Sequence, residues 1–148
     1  MAIVWRDAMS IDGGPIDDDH KFLFNLINEL ERHLDNNFSK DDILAALKKL
    51  QYYTVYHFTR EEAIQKEIGY SAIDEHIENH RMIVANVDNA IMVFEREISE
   101  DKQDRIKDGV IRLLQAWVVG HVLKHDIPMR SEIRIHRAGP RRGPITTV

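Results

Sequence analysis

The residues of this chain that could do chemistry sit where apolar residues belong. His20, His57, Glu61, His76, His80 and His121 fall in phase with Leu, Ile, Val and Phe along four stretches of helical period. Burying one polar side chain without a partner costs about 1–3 kcal/mol, and a charged one more. Six of them would exceed the roughly 5–15 kcal/mol by which a small domain is stable. They must satisfy one another, or something bound among them.

Their spacing favours a bound ion. His57-Phe-Thr-Arg-Glu61 and His76-Ile-Glu-Asn-His80 are i,i+4 pairs. Four residues turn a helix by about 400° and climb about 6 Å, so both members of a pair project the same way. Imidazole suits iron, copper, zinc and nickel, and carboxylates bridge hard cations. The chain has no cysteine, which removes thiolate zinc sites, iron–sulfur clusters and disulfides together. Five histidines and a carboxylate exceed what one four-coordinate zinc uses, so two metals sharing an acid fit better.

The elements that must position these groups are four amphipathic helices. Asp17-Asp18-Asp19 opens the first, whose stripe includes Leu23, Phe24, Ile27 and Leu30 and which closes near Asn36-Asn37. Ser39 caps the second and Gly69 stops it. Ser71 caps the third, whose stripe runs to Ile98; Ser99 or Asp101 opens the fourth, and Pro128 ends it. Residues 1–16 read as an extended arm with a turn at Gly13-Gly14-Pro15. The fold class is all-α, an antiparallel up-down-up-down four-helix bundle, because short links make neighbouring helices antiparallel. In that topology all six polar residues arrive at one end.

The run His20, His57-x3-Glu61, His76-x3-His80, His121-x4-Asp126 resembles the ligand pattern of hemerythrins and bacteriohemerythrins. The likeness spans roughly residues 1–130 and includes Ile11-Asp12, Asp17 through Lys21, His57-Phe58, Glu61-Glu62, Gly69-Tyr70 and Trp117. It implies two non-haem iron ions with an oxo or hydroxo bridge. One would be held by His76, His80 and His121, the other by His20 and His57, with Glu61 and Asp126 spanning both. The iron with two histidines would have the open position, and dioxygen would bind there. Asp126 lies five residues beyond His121, about 500° on and so about 140° off its face in a regular helix. His125, at i,i+4, is the geometric rival. Asp126 is favoured because a second bridging carboxylate offsets the charge of two cations, and Pro128 gives the last turn a reason to fray and swing it inward. Two departures stand out: Asp19 where related sequences often carry glutamine, and Ser71 where they often carry proline.

Reversible dioxygen binding for transport, storage or delivery is the expected function, and no enzyme activity is expected. Leu23, Phe58, Trp117, Val118 and Val122 are expected to wall a dry pocket that keeps proton donors from the site. The alternatives are a di-iron peroxidase or a scavenger of nitric oxide or dioxygen, and an oxygen or redox sensor. Other metal motifs fail: Ile77 stands where the zinc-protease helix has its glutamate, and the paired Glu-x-x-His of ferritin-like proteins is absent.

Residues 129–148 carry five arginines against Glu132, a net +4, which leaves the first 128 residues at −9 within a total of −5. The acidic body argues against nucleic acid. Residues 1–130 read as the domain and 131–148 as a flexible basic tail, a candidate contact to a protein or a surface. No apolar run has the length of a membrane span or signal peptide, so the cytoplasm is the expected location.

Overall fold

The structure, a computed structural model, describes residues 2–36, 39–96 and 100–139. Four long helices carry the fold: α1 (Pro15–Asp35), α2 (Lys40–Ile68), α3 (Ile73–Arg96) and α4 (Glu100–His121). A π-helical turn (Val122–Asp126) continues α4, and a shorter α5 (Met129–Ala138) follows. α1 packs on α2 and α4, and α3 packs on α2 and α4, which closes the ring of a four-helix bundle. Among the described residues there is no strand.

Local chemistry sets the helix ends. Pro15 occupies the first turn of α1, two residues before the expected start, where its fixed φ costs nothing. The Asp12 carboxylate accepts from the backbone N–H groups of Gly14, Ile16 and Asp17 at 2.8–3.1 Å. Asp17 returns the exchange, accepting from Ser10 Oγ and from the N–H groups of Ile11 and Gly13. These two acids clamp the N-terminal arm across the start of α1. Ser39 caps α2 by accepting from the Asp42 N–H. Gly69 ends α2 in the left-handed region (φ 66°), where glycine carries no Cβ penalty. The Tyr70 N–H then reaches back to the Gln65 carbonyl at 2.9 Å. α3 begins at Ile73, two residues after the Ser71 expected to cap it. Asn37, Ile98 and Ser99 lie outside the described residues.

The two ends of the bundle differ. One is filled by Leu30, Ile43, Leu47, Leu50, Phe94 and Leu114, each at most 1% exposed. The other holds the histidines. A second small core, made of Ile11, Ile16, Tyr70, Met129 and Ile133, lies beside that polar end.

This second core corrects the reading of the C-terminus. The stretch from residue 131, expected as a flexible tail, is helical through Ala138, and Pro128 caps α5 instead of ending the helical path. Met129 and Ile133 form an i,i+4 apolar pair that buries one face of α5, 0% and 3% exposed. Arg130 and Arg137 fasten the same helix to the arm by donating to the carbonyls of Ala8 and Asp12. Residues 140–148 lie outside the described residues. Ile133→Ala should therefore destabilise the protein by about 2–5 kcal/mol, as for a core isoleucine. Ile135→Ala, on the 70% exposed face, should stay within about 0.5 kcal/mol. Urea titration of both variants checks this, and equal effects would mean that α5 is not docked.

Candidate metal centre

His20 enters from the first turns of α1, His57 and Glu61 from late α2, His76 and His80 from early α3, and His121 from the last residue of α4. The alternating helix directions bring all of them to one level, each at most 5% exposed. Asp126 joins them, fully buried. Its route differs from the expected fraying. Ile127 keeps helical dihedrals (φ −54°, ψ −40°), and its N–H donates to the Val122 carbonyl five residues back at 3.0 Å. In an i→i+5 turn, a residue five places on lies nearly above the first. Widening one turn therefore stacks Asp126 on His121. His125 points elsewhere: its ring stacks beside His121 at 5.4 Å, outside both donor groups.

The donor atoms form two groups that share both carboxylates. Glu61, His76, His80, His121 and Asp126 make one, His20, His57, Glu61 and Asp126 the other, with donor atoms within 4.8 Å of one another in each. Glu61 Oε1 lies 2.7 Å from His76 Nε2 and its Oε2 lies 3.0 Å from His57 Nε2. Asp126 Oδ1 lies 2.9 Å from His121 Nε2 and its Oδ2 lies 3.2 Å from His20 Nε2. Each acid thus turns one oxygen to each group. Donors about 2.1 Å from one ion and at right angles around it stand about 3 Å apart, which is the spacing seen.

The imidazoles present their Nε2 atoms inward. The Nδ1 atoms of three of them face partners outside the cluster: His57 with Asp19 at 3.3 Å, His80 with Glu62 at 2.8 Å, His121 with Asn79 at 2.6 Å. An acceptor behind Nδ1 draws the proton there and leaves Nε2 as a bare lone pair. Yet His80 Nε2 and His121 Nε2 face each other at 3.1 Å, as do those of His20 and His57. With acceptors behind both Nδ1 atoms, the Nε2 atoms of His80 and His121 face each other as lone pairs, which repel unless a cation or a proton lies between them. Glu61 Oε2, His76 Nε2 and both Asp126 oxygens are also buried without a hydrogen bond, despite imidazoles near 3 Å. The donor set, nitrogen and oxygen with unmet lone pairs, suits a metal site.

Charge coupling agrees. Burial and Asp126 push Glu61 up, but the imidazoles of His57 and His76 overrule them and hold it at about 2. Burial pushes Asp126 up as well, and the close imidazoles, His121 above all, hold it well below the carboxylate range. Burial alone would lower His57 and His76; Asp19 and Glu61 raise the first to about 9, and Asp126 and Glu61 raise the second to about 9. Burial takes His80 down to about 3, with His121 and His76 adding to it against the pull of Glu61.

A small cavity of about 10 Å³, the scale on which one small molecule is held, is lined by His20 and His57 of one group, by His121 of the other and by Asp126. Leu23, Phe58, Trp117, Val118 and Val122 line it, with Phe24, which the sequence reading left on the stripe. That reading also missed Glu62 and Asn79 as imidazole partners. Their only sequence signal is adjacency to Glu61 and His80, which gives no direction.

The family model described as the hemerythrin HHE cation binding domain matches residues 15–127. The chain belongs to the hemerythrin family. It is 28% identical to a bacteriohemerythrin of Clostridium acetobutylicum over 126 residues, 83% of this chain and 95% of that protein. With a bacteriohemerythrin of Campylobacter jejuni it shares 29% identity over 119 residues, 80% of this chain and 85% of the other. A crystal structure of a hemerythrin mutant superposes with a TM-score of 0.75 at 26% identity, covering 90% of this chain and 98% of that one. The family match ends at residue 127, so α5 lies beyond it.

The shifted groups predict a pH signature for the metal-free hemerythrin domain. His57 and His76 are raised to about 9, so the stability their protonation contributes is whole below their ordinary 6.5 and lost as pH rises through 9. Glu61 is lowered to about 2, so its contribution is present above 4.5 and lost as pH falls toward 2. Urea midpoints of chelator-treated protein should fall between pH 6.5 and 9. Those of metal-loaded protein should stay level there, because metal replaces the protons. A level profile after chelation would contradict the coupling.

Proposed function

We propose that this hemerythrin-family protein binds dioxygen reversibly at a pair of non-haem iron ions joined by an oxo or hydroxo bridge, for oxygen transport, storage or delivery. The observation that carries this reading is an asymmetry. Three histidines stand in one donor group and two in the other, both groups share Glu61 and Asp126, and the small apolar cavity is lined by both histidines of the smaller group but by only one, His121, of the larger. His76, His80 and His121 would hold one iron and His20 and His57 the other, with Glu61 and Asp126 touching both. The iron pair would supply the two electrons that dioxygen borrows on binding.

This chain's own residues decide whether those electrons come back. Leu23, Phe24, Phe58, Val118 and Val122 exclude water and offer no acidic proton, and the indole N–H of Trp117 is too weak an acid to give one up. The remaining lining groups are His20, His57, His121 and Asp126, which the iron would engage. Peroxidase or scavenging turnover needs a proton donor aimed at the cavity, so binding without turnover is the better-supported reading. No helix among the described residues is long and apolar enough to cross a membrane.

Anaerobic loading with ferrous iron, followed by air, tests this. A visible charge-transfer band should appear with oxygen and vanish under argon over repeated cycles. A single irreversible conversion, or sustained consumption of hydrogen peroxide, would contradict carriage. Leu23→Glu, which brings a proton donor to the cavity, should shorten the lifetime of the oxygenated protein by at least about 100-fold, the usual worth of a positioned acid. An unchanged lifetime would remove the dry pocket from the account.

A further inference from the structure

Asp19 precedes a ligand of one helix but serves a ligand of another. It is 2% exposed, and its two oxygens divide the work. Oδ2 faces His57 Nδ1 at 3.3 Å. Oδ1 accepts from the Tyr53 hydroxyl at 3.0 Å and from the Arg60 guanidinium at 3.3 Å. Arg60 is itself held in place, donating to the Tyr56 hydroxyl and lying 4.9 Å over the Tyr56 ring. Every hydrogen-bonding atom of the carboxylate is therefore occupied, one by the ligand and one by two donors of different kinds.

Three other imidazoles lack this backing. His20 Nδ1 has no partner, and His121 has the neutral Asn79. His80 has Glu62, whose side chain is 24% exposed. Within the two-histidine group, then, one ligand has no acceptor behind it and the other has a fully buried anion. A carboxylate accepting from Nδ1–H makes the opposite nitrogen a stronger donor to a cation. Hydrogen bonds and positive charge on that carboxylate draw its electron density away and weaken the effect.

We propose that Asp19 is a positioning residue that sets how strongly His57 binds the metal of the two-histidine group, with Tyr53 and Arg60 acting together as restraints on it. This rests on the two-metal reading above. It predicts opposite signs for neighbouring substitutions. Removing the charge with Asp19→Asn weakens His57 as a ligand, whereas removing a restraint with Tyr53→Phe or Arg60→Gln strengthens it. A cluster that merely stabilised the fold would respond to all three in the same direction.

The test uses the metal-loaded full chain, challenged with excess EDTA while metal release is followed, alongside redox titration of the same samples. Asp19→Asn should speed release of one of the two metals by about 10–100-fold, the usual cost of losing such an outer partner, and should raise the reduction potential. Tyr53→Phe and Arg60→Gln should slow release several-fold and lower the potential. Arg60→Gln should act less, because the Arg60 side chain is 37% exposed and water screens it. If Asp19→Asn fails to fold, Asp19→Gln and the other two variants carry the same sign test. Two metals in the wild type with all variants shifting release alike, or none shifting it, would overturn the role given to Asp19. Fewer than two metals in the wild type would instead remove the site reading on which it rests.

Discussion

Everything in this molecule depends on nitrogen and oxygen donors crowded together in a dry place. Two pairs of imidazoles turn Nε2 atoms toward each other at 3.1 Å, and two buried carboxylates stand between them with three of their four oxygens unmet. Such an arrangement is unfavourable without positive charge among the donors, and protons supply it only in part. The excess cost is met at the far end of the bundle, where tightly buried leucines, isoleucines and Phe94 form an ordinary core. One end stabilises the fold, and the other is held in a geometry it would not choose unaided.

That division was largely legible in the sequence because it follows from period and direction. Helical stripes gave four helices, and antiparallel packing collected residues as distant as His20 and His121 at one level. The resemblance to hemerythrins sharpened the ligand set and matches the family to which the chain belongs. Asp126 lay beyond periodicity. Its inward position depends on a single π-turn, a difference of one residue in hydrogen-bond register that no side-chain pattern announces. The frayed turn expected at Pro128 was the wrong cause: the chain widens, keeps its hydrogen bond and continues into α5.

The C-terminal helix and the outer partners were hidden for related reasons. Five arginines beyond residue 128 drew attention to charge, while Met129 and Ile133, an apolar pair one turn apart, carried the packing. Asp19 was conspicuous beside His20, yet a side chain one residue from a ligand on a helix points about 100° away from it. It meets His57 on the neighbouring helix instead. Chain adjacency says little about what lies behind an imidazole; the packing of α1 against α2 decides it.

The geometry also links the centre to the rest of the chain. Asp12 and Asp17 clamp the arm just ahead of His20, and α5, which begins three residues after Asp126, is fastened to that same arm by Arg130 and Arg137. Both routes into the two-histidine side are thus braced from outside the bundle. The donors at this end of the bundle fall into two groups that share both carboxylates, as a pair of ions would require. Metal analysis of protein loaded anaerobically with ferrous iron and desalted tests this most directly. Two irons per chain are expected, falling when Glu61 is replaced by alanine. A single tightly held metal in the wild type, or zinc in place of iron, would contradict it.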